Sequence, residues 1–118
     1  MSTERTAHVE RTTRETRIAL AVNLDGRGQG QIETGIGFLD HMLGALARHS
    51  GLDLDLSCQG DLDVDGHHTS EDCALALGQA MDQCLGDRRG ITRFGYAYAP
   101  LDEALARAVV DLSGRPYA

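Results

Sequence analysis

The octapeptide DGHHTSED, residues 65 to 72, sets His67 beside His68 and places Glu71 four residues after the first and three after the second. Imidazole and carboxylate donors suit borderline divalent ions such as Mn, Fe, Ni, Co or Zn better than Ca or Mg. A helix turns about 100° per residue, so adjacent histidines point in different directions and are poorly placed to chelate one ion together. Glu71 lies within reach of either ring. The spacing suggests one metal per histidine, or one at each of two interfaces, with further ligands from elsewhere. His41 and His49 are the candidates, because with Ala45 between them they form an i, i+4, i+8 stripe beside the apolar face of an earlier helix. The plain alternative is a solvated helix start capped by Asp65, with His41 and His49 as surface histidines. Spacing leaves both readings open.

Other chemistries fit less well. The HExxH metalloprotease motif is absent, and its HxxEH variant fails because Asp72 stands where the last histidine belongs. GIGFLD places Asp40 where a dinucleotide fingerprint needs its third glycine, and no P-loop GK[ST] occurs. Arg88, Arg89 and Arg93 cluster in DRRGITRFG, with Arg115 after the last strand candidate. Arginine suits bidentate phosphate binding, although an exposed cluster of this kind is also what a solvated loop looks like.

These residues need elements to position them. In 118 residues there is room for one domain with a modest core. Apolar residues at 42% and charged residues at 25% place the chain among globular proteins. The net charge of −7 argues against a polyanion such as nucleic acid as partner. Cys58, Cys73 and Cys84 are odd in number and lack CxxC spacing, so they read as reduced thiols. No apolar signal region or membrane-spanning run is present, and a cytoplasmic protein is the expectation.

Ile18, Leu20, Val22 and Leu24 alternate through RIALAVNL, and Leu52, Leu54, Leu56 and Cys58 through LDLDLSC, each the pattern of a half-buried strand. An earlier strand is expected over residues 6 to 13, followed after the second strand by a DGRGQGQ loop. Leu39, Met42, Leu43 and Leu46 give an amphipathic helix from Phe38 to near Gly51. A second helix starts near His67 or Thr69, carries Ala74, Leu77, Met81, Cys84 and Leu85 on one stripe, and stops at Gly86. Pro100 is expected to separate two further strands, at 93 to 99 and 104 to 112. ETRIALAVNLDG (15 to 26) aligns without gaps to EALARAVVDLSG (103 to 114), with four of twelve positions identical and the inward parity kept. That weak repeat predicts one ββαβα unit and then the opening hairpin of a second: residues 1 to 92 and 93 to 118, within a single compact domain.

RTTRET (11 to 16), GIGFLDHML (35 to 43), HHTSED (67 to 72), RFG (93 to 95) and PLDEALARAVVDLSGRPY (100 to 117), in this order, resemble imidazoleglycerol-phosphate dehydratases of histidine biosynthesis. The resemblance spans nearly the whole chain. It implies a two-layer α/β fold, a half-unit similar to the second domain of ribosomal protein S5, with helices on one side of the sheet. It also implies large homo-oligomers with shared sites, two Mn ions per site, and dehydration of imidazole glycerol phosphate to imidazole acetol phosphate. By resemblance, His41, His67, His68 and Glu71 match metal ligands, Glu15 the acid/base glutamate, His49 a substrate contact, and Arg93 and Arg115 arginines that bind substrate and its phosphate. Ala45 stands where many relatives carry glutamine. The family's second HHxxE motif, one more histidine ligand, and lysine and serine phosphate contacts are absent from this sequence. The alternative reading is a self-assembling, metal-binding half-unit without turnover.

Overall fold

Alternating apolar residues build the sheet. In the computed structural model, which describes residues 4 to 118, β1 (Thr6–Thr12), β2 (Thr16–Asn23), β3 (Ile32–Glu33) and β4 (Asp53–Gly60) form one sheet in the order β1-β2-β4-β3. The pairings are antiparallel except β3 with β4, where Ile32 and Glu33 lie parallel to Leu56 and Ser57. Ile18, Leu20 and Val22 of β2 and Leu54, Leu56 and Cys58 of β4 point to one face and are all buried. Full burial of such an aliphatic side chain is worth roughly 1.5–3 kcal/mol.

Two helices cover that face, α1 (Gly37–Ser50) and α2 (His67–Leu85), as the periodicity predicts. Gly51 ends α1 in the left-handed region at φ 81°, donating its N–H to the Ala47 carbonyl at 3.0 Å. The chain divides into two compact units, one running to Gly86 and one from Asp87 to Ala118. The second contains the antiparallel hairpin of β5 (Phe94–Leu101) and β6 (Ala104–Asp111).

Several details differ from the sequence expectation. The first strand stops at Thr12, because Thr13 Oγ1 accepts the backbone N–H groups of Glu15 and Thr16 at 3.1 and 3.0 Å and turns the chain. β3 is too short to leave a periodic signal. Pro100 lies inside β5, opposite Leu105; in a two-stranded ribbon each strand keeps a free edge, where a missing N–H is tolerated. The turn falls at Asp102, whose φ is 49°.

The helix faces are also shifted. The stripe of α2 against the sheet runs through Thr69, Cys73, Ala76, Ala80 and Cys84, while Ala74 is exposed and Leu77 flanks the seam. Small side chains let the helix axis approach the sheet, which moves the larger ones to its borders. On α1 only Ala47 is buried, with Leu43 packed against the core, and Phe38, Met42 and Leu46 remain 74%, 48% and 44% exposed. The sheet beneath α1 ends at β3, whose two residues offer too little surface to cover a whole apolar stripe.

A polar anchor joins α2 to the hairpin of β1 and β2. Thr16 Oγ1 donates to Asp72 Oδ2 at 2.6 Å, and Arg11 Nη2 donates to Asp72 Oδ1 at 3.2 Å. Both Thr16 and Asp72 are buried. The Thr16 hydrogen bond, with the Arg11 charge and bond, holds the Asp72 carboxyl below its ordinary range against the opposing effect of burial. Asp72→Ala should cost about 2 kcal/mol, because the buried Thr16 hydroxyl is left with only its 3.2 Å contact to Thr13 Oγ1 and the half-buried Arg11 guanidinium loses its carboxylate, and urea unfolding measures this. The parent's share from Asp72 is fully present above the ordinary carboxylate range, near pH ~4. It fades as pH falls from there through the depressed folded value, so the gap between parent and variant should close on acidification.

Candidate functional site

Three of the segments predicted to carry chemistry, RTTRET, GIGFLDHML and HHTSED, approach one another at one end of the four-stranded sheet. There β2 begins, β4 ends, and the loop of residues 61 to 66 leads into α2. The Asp61 N–H donates to the Glu15 carbonyl at 3.0 Å, which ties the turn between β1 and β2 to this loop. Gly60 lies so close to α2 that an added Cβ would collide with Thr69 Oγ1. The approach to α1 runs along the same loop: a Cβ on Gly35 would meet Leu62 at 2.6 Å, and one on Gly66 would meet Ile36 at 3.0 Å. Asp40, in the first turn of α1, accepts the Thr34 backbone N–H at 2.9 Å as well as the Thr34 hydroxyl, and Thr34 is fully buried.

His67 and His68 open α2, and their rings diverge as helix geometry requires. The centroids are 5.6 Å apart and the planes stand at 70°. His67 Nε2 faces Glu71 Oε2 at 3.1 Å, an i, i+4 pair with both side chains more than half exposed. His68 turns the other way, and its Nδ1 lies 2.8 Å from Asp61 Oδ2. The Asp61 hydrogen bond raises the His68 pKa, against partial burial; the charges of Asp61, Glu15 and Asp65 act in the same direction. Asp65 accepts the His67 backbone N–H at 2.8 Å, so it also supports the helix start.

The donor chemistry suits a borderline dication. Two cis ligand atoms each ~2.1 Å from one ion are themselves about 3 Å apart, and His67 and Glu71 have that separation. Yet no group of three or more His, Cys, Asp or Glu side chains that could hold a metal converges among the described residues. The cysteines take no part: all three are free and buried, and burial pushes the Cys73 thiol up to about 12.

The remaining candidates are dispersed. His41 and His49 line one open groove on α1 with Asp40, Gly44, Ala45 and Arg48. Eight residues of helix separate them by about 12 Å along the axis, so His49 lies toward the far end of α1 from the opening loop. In the second unit Arg93 is engaged in a bidentate pair with Asp111, at 2.6 and 3.1 Å, and lies over the Phe94 ring. Arg89 pairs with Asp87 at 3.1 Å, so these two arginines are held by separate carboxylates. The Arg115 N–H donates to Ser113 Oγ at 3.1 Å. Asp61 is the residue that sequence reasoning missed. It lies in the acidic segment DLDVD, which carries no metal-ligand spacing of its own, and it meets a ring seven residues ahead.

Comparison with known proteins identifies the family. The family model described as imidazoleglycerol-phosphate dehydratase matches residues 34–118. The chain is 60% identical over 113 residues to the imidazoleglycerol-phosphate dehydratase of Acidovorax sp. (strain JS42), covering 96% of this chain and 54% of that protein. It is 60% identical over 114 residues to that of Zymomonas mobilis, covering 97% and 58%. The crystal structure of the Staphylococcus aureus enzyme matches with a TM-score of 0.80 and 39% identity, over 95% of this chain and 60% of that one. The Pyrococcus furiosus structure matches with a TM-score of 0.78 and 39% identity, over 92% and 57%. The chain thus spans somewhat more than half the length of the relatives it matches. With HHTSED at the head of a helix and GIGFLDHML at the head of another beside it, the chain belongs to the imidazoleglycerol-phosphate dehydratase family.

Proposed function

We propose that this chain supplies the first ligand set of a metal-dependent imidazoleglycerol-phosphate dehydratase site, whose remaining donors come from outside the described residues. The observation that carries this reading is the HHTSED turn, where His67 and Glu71 sit at the spacing of two ligands of one ion while His68 faces another way. His67 with Glu71 would hold one Mn ion, His68 would serve a second, and His41 at the start of α1 would add a donor. Bound there, such an ion would supply Lewis-acid polarisation of the substrate's imidazole ring.

The chain's own groups account for the rest. Glu15 sits in a turn pinned through its carbonyl to Asp61, beside His68, and its carboxylate would move the substrate proton. His49 would contact the substrate. Arg93 and Arg115 would hold the phosphate, with Arg93 exchanging its Asp111 partner for phosphate oxygens. Removing one ligand should lower metal content. In chelator-free buffer, His67→Ala and Glu71→Ala should each carry less Mn per chain than the parent by elemental analysis, and parent-like content in both defeats the assignment.

Assembly follows from the same incompleteness. An ion needs more donors than one copy brings together, and Phe38, Met42 and Leu46 leave an apolar stripe in water on α1. We therefore expect a homo-oligomer with shared sites. Sedimentation at micromolar concentration should report a mass above 12.7 kDa, and a stable, folded monomer removes the expectation.

Turnover should be very low for this chain alone, even with Mn supplied, because a site built from copies of one ligand set lacks positioning contacts that commonly matter by orders of magnitude. Imidazole glycerol phosphate consumption by the metal-loaded protein, with Glu15→Gln as control, checks this. Rates matching a full-length relative, and lost in the control, would show that the single set suffices.

A further inference from the structure

We propose that Asp61 is a positioning residue for His68: its carboxylate holds the ring with the proton on Nδ1 and so presents the Nε2 lone pair outward as the ligand atom for a divalent cation. The inference deepens, and rests on, the metal-binding reading above.

The contact itself assigns the proton. An ionised carboxylate only accepts, so at 2.8 Å the nitrogen facing Asp61 Oδ2 must be the N–H donor. In a neutral ring that leaves Nε2 unprotonated. The two histidines use different nitrogens, since His67 meets its carboxylate through Nε2 and His68 through Nδ1. Adjacent rings on one helical turn are thereby set to different tasks.

Asp61 is built to hold still. Its N–H donates to the Glu15 carbonyl at 3.0 Å and its own carbonyl accepts the Val64 N–H at 2.9 Å, so both sides of the residue are fixed in the turn. Its side chain is 21% exposed against 41% for His68, which places the carboxylate on the inner side of the ring. Carboxylate behind imidazole is the arrangement that orients metal-ligating histidines generally, by fixing the tautomer and raising ligand basicity.

The test needs no turnover. In metal-free protein at alkaline pH, 15N-resolved NMR of the imidazole nitrogens should show His68 as the Nδ1–H form. In Asp61→Ala the proton should move toward Nε2, the position favoured in free neutral histidine. Asp61→Asn keeps an acceptor oxygen and should retain most of the Nδ1–H form. Competition with a chelator should give Mn affinity about 10–100-fold weaker in Asp61→Ala, with a smaller loss in Asp61→Asn. An Nε2–H tautomer in the parent overturns the proposal, even if Asp61→Ala fails to fold, and so does equal Mn affinity in parent and both variants. A parent that takes up no Mn while His68 keeps the Nδ1–H form instead overturns the metal reading, so the two failures are distinguishable.

Discussion

The close seam between α2 and the sheet governs everything else in the first unit. Ala76 and Ala80 are completely buried, with Cys73 and Cys84 beside them, so the helix backbone comes near the strands without large side chains between. At the head of the seam Gly60 abuts Thr69, and Asp72 is bonded to Thr16 and Arg11. Apolar contact alone would leave such a helix free to slide or rotate among similar packings. The buried carboxylate adds direction, since only one placement satisfies both its donors. Because Asp72 lies one turn after His68, the anchor also fixes the first turn, where the histidines emerge.

That rigidity explains how adjacent histidines serve different partners. On a mobile segment both rings would seek the nearest acidic group, of which the loop offers several. On a helix start held by its second turn, the backbone decides which ring faces Glu71 and which faces Asp61. Side-chain rotation then makes only the final adjustment.

The legible parts of the sequence were those where a residue's surroundings follow from its own segment. Ile18, Leu20 and Val22 alternate because one face of β2 meets the helices, and Leu54, Leu56 and Cys58 do the same in β4. HHTSED reads as a helix start because its spacing is local. Other features depend on distant partners. β3 exists only as two residues beside Leu56 and Ser57, and the half-covered stripe of α1 reflects the width of the sheet below it. Reading α2 by hydrophobicity favoured Leu77 and Met81, whereas small volume at Ala76 and Ala80 determined the seam. Asp61 was hidden for the same reason, because nothing in periodicity reveals that a turn folds back onto a ring seven residues ahead.

Charge completes the argument about division of labour. Glu15, Asp61, Asp65 and Glu71 lie in or beside the helix opening, in a chain of net charge −7. Such a cluster favours a dication and repels a phosphate monoester. In the proposed reading the carboxylates and imidazoles of the first unit would serve the metal, and Arg93 and Arg115 of the second would serve the phosphate. Within the second unit Arg93 is paired with Asp111, which holds its guanidinium in a fork geometry suited to oxyanions. In the proposed reading a bound dication would offset these carboxylates, so the acidity of the helix opening would be compatible with an anionic substrate whose phosphate is held by other side chains.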